Sequence, residues 1–467
     1  MKIVCFSINP IFAGQVTGGA SKHFMNICQF LEQQGHEVVI LCAQADENHT
    51  SFTLGQNIKV KPKLPFHLPF PQPYQIPPGD LALICELVTR ELETADRFYM
   101  HDGELLLPFL YADVPTVSSF RDNYYPESIL GTFLTQADAI IAVSEFSAEV
   151  IKVSAGRVFP KLKERIHTVL NGIDTQLYHA VDPTPVFRRY ALDPAVHQII
   201  LHPHRPDAGK GLLQTILIVE KLVKEHGFTQ LRVLVPEWLD EMNGKGESEF
   251  HAQISAELRH RGLEEYFIFH PWLNQEEMPA YYSAASLTLC LGNMVEAFGN
   301  VAYESLACGT PSIVAKVGVH RSQLPDTLID KVEYGDIETA AQIAVGILRA
   351  HRRVEGEHLA QILNYFSIEA QLEAYAEIIT KVQKLPRLEH QTITISLETK
   401  FQLAPWCYLS SRGIFHDYHA KYYSIPELEA WLTEEDTLCF SAKAERSISW
   451  NAMLDLYRLG ILIPLPA

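Results

Sequence analysis

Residues 286–315 contain Ser286-Leu-Thr-Leu-Cys-Leu291, then Glu296-Ala-Phe-Gly-Asn-Val-Ala-Tyr-Glu304, Ser305-Leu-Ala-Cys-Gly-Thr-Pro311 and Ser312-Ile-Val-Ala315. The first apolar run has the length of a buried strand. Gly309 and Pro311 read as a helix stop, so the stretch predicts strand, glycine-bearing loop, helix, strand. That is half of a doubly wound α/β domain, in which ligands sit at the strand-to-helix loops. Gly299 would let a ligand approach the backbone, and the amides after it could open a helix onto a phosphate. Glu296 falls on the loop and Glu304 about a turn or more into the helix. Carboxylates in these places can accept hydrogen bonds from sugar and ribose hydroxyls respectively. Two glutamates alone are more often solvated side chains of a glutamate-rich chain.

The string as a whole, Glu-Ala-Phe-Gly with a second glutamate eight places on and then Ala-Cys-Gly-Thr-Pro, resembles the E-x7-E region of retaining GT-B glycosyltransferases. Within these it looks most like family GT4 (glycosyl transferase group 1). The resemblance implies an α/β chain with two Rossmann-like domains facing a cleft.

At 467 residues the chain has room for two or three domains, and 47% of it is apolar, an ordinary globular balance. The net charge of −18 argues against nucleic acid and against electrostatic docking on anionic lipid. The eight cysteines form no C-x-x-C pair and several lie in apolar patterns, so buried free thiols are expected. No apolar run approaches the length of a membrane span, and the opening Met1-Lys-Ile-Val-Cys-Phe-Ser reads as a strand. A cytosolic location is expected.

In chain order, Ile3 to Ile8 is a strand, Gly18-Gly19-Ala20 follows, and a helix carries Phe24, Ile27, Cys28 and Leu31 on one face. His36 to Cys42 closes a βαβ unit without a G-x-G-x-x-G fingerprint. In the GT4 family the matching Gly-Gly-Ala loop approaches the donor, which makes Gly18 and Gly19 donor-site candidates by resemblance. Residues 62 to 78 hold seven prolines with Phe66, Phe70 and Tyr74. Proline lacks an amide donor, so this is expected not to be a central strand but a stiff surface loop or an acceptor-contacting one. Arg97 to Met100 is a short strand leading to His101. A histidine there is more often structural, but its position matches the family's histidine that reaches the donor sugar. Ser144-Glu-Phe-Ser147 resembles the family's serine-bearing turn, and Arg121 is a further cleft candidate. Asn171-Gly-Ile-Asp174 is strong turn chemistry and resembles the family's passage into the C-terminal half, with 182–194 read as a linker.

Strand Gln198 to Leu201 leads to Arg205-Pro-Asp-Ala-Gly-Lys210-Gly211 before a helix. Two cations there read as a pyrophosphate clamp, Arg with forked bonds and Lys as a point charge. The family carries the same Arg-x4-Lys-Gly pattern on the donor diphosphate, but His204 stands where it has a glycine. After Ser312 to Ala315, residues 316–321 are expected to rim the site, and Ser367 to cap a helix crossing back over both domains. From about Leu385 the chain leaves the resemblance, and its aromatic-rich end predicts a small α+β, winged-helix-like module for docking or dimerisation.

The expected layout is an acceptor-side domain over 1–180, a nucleotide-sugar domain over 181–366, a crossover helix over 367–384 and the extension over 385–467. The resemblance implies transfer of a sugar from a nucleotide diphosphate-sugar to an acceptor hydroxyl with retained configuration, without a metal or other cofactor. Glu296, His101, Arg205 and Lys210 are the catalytic candidates. Gly18, Gly19, Arg205, Lys210, Glu296, Phe298, Gly299, Asn300 and Glu304 are the donor-binding ones. A GT-B phosphorylase or epimerase and a non-catalytic nucleotide-sugar-binding protein stay open as alternatives.

Overall fold

The computed structural model describes residues 1–13, 19–68, 72–205, 207–237, 246–434, 438–439 and 448–465. Eight strands, β1 (Lys2–Ser7), β2 (Glu37–Ala43), β3 (Phe52–Leu54), β4 (Ile58–Leu64), β5 (Arg97–Met100), β6 (Thr116–Phe120), β7 (Ala139–Ala142) and β8 (Ile166–Thr168), form the first sheet. Its order is β3-β4-β2-β1-β5-β6-β7-β8, parallel except for β3 at one edge. Strands β1, β2, β6 and β7 are buried almost without interruption, as a parallel sheet covered on both faces requires. The second sheet holds β9 (Gln198–Leu201), β10 (Leu231–Pro236), β11 (Phe267–His270), β12 (Leu287–Cys290), β13 (Ser312–Ala315) and β14 (Asp330–Val332). Its order is β11-β10-β9-β12-β13-β14. In both sheets the strand order reverses once, between β1 and β5 and between β9 and β12. The crevice outside the strand ends at such a reversal is where doubly wound folds hold ligands.

Two readings are corrected at this level. Pro62 does lie in an inner strand, β4, paired with Cys42 of β2. It is tolerated because β3 ends opposite Val60, so nothing on that side requires an amide from Pro62. Residues 182–194 are not a bare linker: the helix Thr184–Arg189 buries Val186 and Phe187 in a core shared with Tyr281 and Tyr282.

Ser367 caps the helix Ile368–Lys381 by accepting from Ala370 N. This helix returns Tyr375, Ala376 and Ile379 to the core of the first domain, against Ile27, Leu31 and Tyr99. The chain then straps across that domain, with Leu385 N donating to Asp138 and Leu388 N to Gln136. It ends in an α+β module with two three-stranded sheets. One contains β15 (Lys400–Leu403), β19 (Leu438–Cys439) and β20 (Leu462–Pro464), the other β16 (Cys407–Ser410), β17 (Gly413–His416) and β18 (Lys421–Tyr423).

The module touches both domains. Tyr418 OH donates to Asn123 O of the first, 3.0 Å away. Arg321 of the second donates to both carboxylate oxygens of Asp417 at 2.6 Å, and Gly318 N donates to the same carboxylate. Trp406 packs on a cluster formed by Phe146 and Val150 of one domain and Val295 and Val319 of the other. Among the described residues no helix is long and apolar enough to cross a membrane. Among the described residues seven cysteines are free thiols, six of them buried.

Candidate functional site

The loops after β9 and β12 face each other across the reversal of the second sheet. Their backbones touch: Asn293 N and Met294 N both donate to Gly209 O. A side chain at Gly292 would meet that oxygen at 2.1 Å, which excludes any other residue there. This contact brings Lys210 and Glu296 together, and the Lys210 ammonium donates to Glu296 Oε1. Burial works against both charges, but each outweighs it for the other, so the Glu296 pKa is held down and that of Lys210 up. Both are therefore ionised at neutral pH.

Arg205 is exposed on the rim, and its guanidinium donates to Tyr125 OH of the first domain at 3.4 Å. His204, Lys210, Met294, Glu296 and His320 line a cavity of ≈ 20 Å³, room for about one or two waters. Burial, then Lys210 and His320, push His204 down to about 3, so its imidazole is neutral and narrows this space.

The helix Asn300–Ala307 opens directly onto the loop, with Gly299 at its N-cap and φ 82°. The room that glycine leaves is not for a ligand. A Cβ there would meet the His320 ring at 2.2 Å, so His320 takes the close approach expected of a donor. His320 donates to or accepts from Tyr303 OH through Nδ1, and burial pushes it to about 4 despite Glu296 nearby. Phe298 is also corrected: its ring stacks edge-on against Tyr303 and Phe366 in the core, leaving only its backbone to face the loop.

Asn300 sits at the domain junction. Its Nδ2 would lie 3.3 Å from a Cβ placed on Gly19, and its Oδ1 accepts from Asn171 at 3.4 Å. Gly18 lies outside the described residues, and Gly19 is the first residue of the helix Gly19–Gln33. His101 is buried at the end of β5 with both ring nitrogens engaged, Nε2 with Ala20 O at 2.9 Å and Nδ1 with Tyr99 OH at 2.8 Å. It ties the start of the helix Gly19–Gln33 to β5 across the reversal of the first sheet, and in this geometry no ring nitrogen is left for a sugar. Burial and Arg121 keep it neutral. Arg121 itself donates to Asn171 and Tyr375.

Glu304 accepts from Tyr282 OH at 3.2 Å and faces Lys22 of the first domain, whose ammonium lies 4.4 Å over the Tyr178 ring. Burial raises the Glu304 pKa, and Lys22 opposes that rise. Ser144, the N-cap of the helix Glu145–Val153, donates to Ala297 O at 2.6 Å, which fastens the Glu296 loop to the first domain.

Two family models match consecutive parts of the chain, Glycosyltransferase Family 4 over residues 17–177 and Glycosyl transferases group 1 over residues 194–330. The chain belongs to the GT4-like glycosyltransferases. Among curated relatives, the D-inositol 3-phosphate glycosyltransferase of Xylanimonas cellulosilytica is 25% identical over 262 residues, 52% of this chain and 57% of that protein. Its namesake from Mycolicibacterium smegmatis is 30% identical over 143 residues, 30% of this chain and 32% of that one. This GT4-like chain thus spans about half the length of the first, and less of the second. The fold is shared with sucrose-phosphate synthase from Thermosynechococcus elongatus (TM-score 0.66, 17% identity, 81% of this chain and 98% of that one). It is also shared with Anabaena Alr3699/HepE in complex with UDP and glucose (TM-score 0.62, 20% identity, 81% and 99%).

Lys22 and Tyr282 had not stood out in the sequence, and His320 had done so only as part of a loop expected to rim the site. Each is a common residue type, and only the pairing of distant segments puts it against Glu296, Gly299 or Glu304.

Proposed function

We propose that this chain transfers a sugar from a nucleotide diphosphate-sugar to an acceptor hydroxyl, with retention and without a metal. The observation that carries this reading is the Lys210–Glu296 ion pair at the strand reversal of the second sheet, beside the N-terminus of the Asn300 helix. Stabilising a departing diphosphate is the dominant demand of such chemistry. Arg205, Lys210 and the helix amides supply a fixed positive field for it. Donor binding exchanges the Glu296 carboxylate on Lys210 for phosphate oxygens and frees Glu296 to accept from sugar hydroxyls. Glu296 then positions the sugar, and the donor phosphate takes the acceptor's proton. His101 supports this machinery through Ala20 rather than by touching the sugar. The neighbour solved with UDP and glucose favours a uridine nucleotide as the first donor to try.

A thermal-shift series with UDP, GDP, ADP and TDP, run beside Lys210→Ala, tests the donor half. One nucleotide is expected to shift the wild type and not the variant. No shift with any of them, in a folded sample, would overturn the proposal. With a donor known, proton NMR of the first product reads its anomeric configuration, and an EDTA-treated sample reads metal independence. Inversion, or loss of activity in EDTA, would remove the corresponding part.

A further inference from the structure

The loops that follow β5 and β6 carry an acidic group on the cleft side of the first domain. Asp102 and Glu104 come from one loop, Asp122 from the other, and Glu127 from the helix Pro126–Leu134 that follows. The group borders the donor side. Asp122 Oδ1 accepts from Tyr124 N and Tyr125 N at 2.9 and 2.8 Å, and the hydroxyl of Tyr125 meets Arg205.

These carboxylates are poorly provided for. Ser128 Oγ lies 2.5 Å from Asp122 Oδ2 and 3.2 Å from Glu104 Oε1, yet a hydroxyl has one proton to give. Glu104 Oε2 and Glu127 Oε2 have no hydrogen-bond partner among the described residues, and these two residues are only 3% and 8% exposed. The cation that acts on Asp102 is Arg121, and its terminal nitrogens are committed to Asn171 and Tyr375. Burial, then Asp102, Asp122 and Glu127, push Glu104 well up, and burial lifts Asp102 to about 7. A buried carboxylate without a counter-charge is costly and is neutralised by protons or by a bound cation.

Residues 72 and 74 lie against the same group. Tyr74 OH donates to Glu104 O at 2.6 Å, and Gln72 N donates to Glu127 Oε1 at 3.2 Å. Gln72 holds φ 76°, a strained conformation for a residue with a side chain, and such strain concentrates at ligand clamps.

Resting on the glycosyltransferase reading, we propose that Asp102, Glu104, Asp122 and Glu127 form the acceptor subsite and that the acceptor is a polyhydroxylated compound bearing a protonated amine. An ammonium brings three donors and a positive charge to oxygens that lack both. A phosphorylated acceptor, the kind named for the curated relatives, would add negative charge to a carboxyl cluster whose neighbouring cation, Arg121, is already committed to Asn171 and Tyr375.

The test uses the full chain, wild type and Glu104→Gln, titrated calorimetrically with glucosamine, N-acetylglucosamine and glucose 6-phosphate. The same samples are titrated with UDP. Glucosamine is expected to bind at least tenfold more tightly than its acetylated partner, and Glu104→Gln to erase that preference while UDP affinity stays. Absence of a preference for the free amine, including no binding by either sugar, would overturn the proposal, as would tighter binding of the phosphate. A preference retained in Glu104→Gln would move the amine away from this group and overturn it too. Loss of UDP binding in the wild type would instead strike the donor reading on which the proposal rests.

Discussion

Removing Arg321 should cost the protein several kilocalories because of what it leaves behind. Asp417 is 1% exposed and both of its oxygens accept from one terminal nitrogen of Arg321, with Gly318 N as its further donor. Breaking a buried pair from one side typically costs about 3–5 kcal/mol, since the remaining charge is uncompensated. Arg321 also donates to Pro405 O at 2.8 Å and lies 4.6 Å over the Tyr408 ring, which places Arg321→Ala in the upper part of that range. Asp417 can limit the loss by taking a proton, so the cost is greatest near pH 8 and shrinks toward pH 5. Replacing both partners, as Arg321→Met with Asp417→Leu, removes the stranded charge and should cost much less. Urea unfolding followed by tryptophan fluorescence reads this well, because Trp406, Trp431 and Trp450, three of the five tryptophans, belong to the C-terminal module. An Arg321→Ala protein within about 1 kcal/mol of wild type at pH 8, or a double variant as unstable as the single one, would refute the argument.

Lys210→Ala should lose about 1.5–3 kcal/mol of nucleotide diphosphate affinity, the usual worth of a charge-assisted hydrogen bond, read by calorimetry. Unchanged affinity would mean the diphosphate binds elsewhere. Asp417 carries a pH signature of its own, since burial, against Arg321, lifts it from 3.8 to about 6. A raised acid binds its proton more tightly in the folded state. Its contribution is therefore fully present below pH 4 and is lost as pH rises through 6, by about 3 kcal/mol. The stability difference between wild type and Asp417→Asn, measured from pH 4 to 8, should show this loss, and a flat difference would contradict it. Gly299→Ala forces a Cβ into the His320 ring at a positive φ, so a destabilisation of roughly 1–3 kcal/mol and weaker nucleotide binding are expected. An unaffected melt and titration would show the loop to be soft. Ser144→Ala removes a helix cap and the bond to Ala297 O, and should cost about 1–2 kcal/mol in the same urea assay. A loss below 0.5 kcal/mol would mean that Ser147, 3.5 Å from the same oxygen, replaces it.

The strands that were read from the sequence were legible because each is a short apolar run with turn chemistry at its ends, whereas β3, β4 and β14 were not read. Ile3 to Ile8 is β1 within a residue or so, and Ser312 to Ala315 is β13 as read. Pro62 misled because the rule against proline in an inner strand concerns the neighbour's reach, and β3 is too short to reach it. The helix Thr184–Arg189 was unreadable at six residues, which is too short for a period of 3.6 to repeat. In the site, the Arg205–Lys210 and Glu296–Glu304 spacings fall on two loops that the backbone brings into contact, since loops after strands are ordered by the backbone. Side-chain direction was not legible. Whether Phe298 faces a ligand or Phe366, and whether His101 faces a sugar or Ala20, depends on segments 68 and 81 residues away. The acidic group escaped notice because its members are spread from 102 to 127 and gather only when β5 and β6 lie side by side.

The fastening of the Glu296 loop has a consequence for exchanging halves between related chains. Glycosyltransferase chimeras are most simply cut at the Asn171-Gly172 turn, which treats the two domains as separable parts. Here Ser144 holds Ala297, Tyr418 holds Asn123, and Trp406 is seated on side chains from both sides. A foreign N-terminal half would arrive without matching partners for the module, and the mismatch would fall on the loop that carries Glu296. Grafts onto this scaffold therefore have to move 121–150 together with 404–423 as one inherited seam.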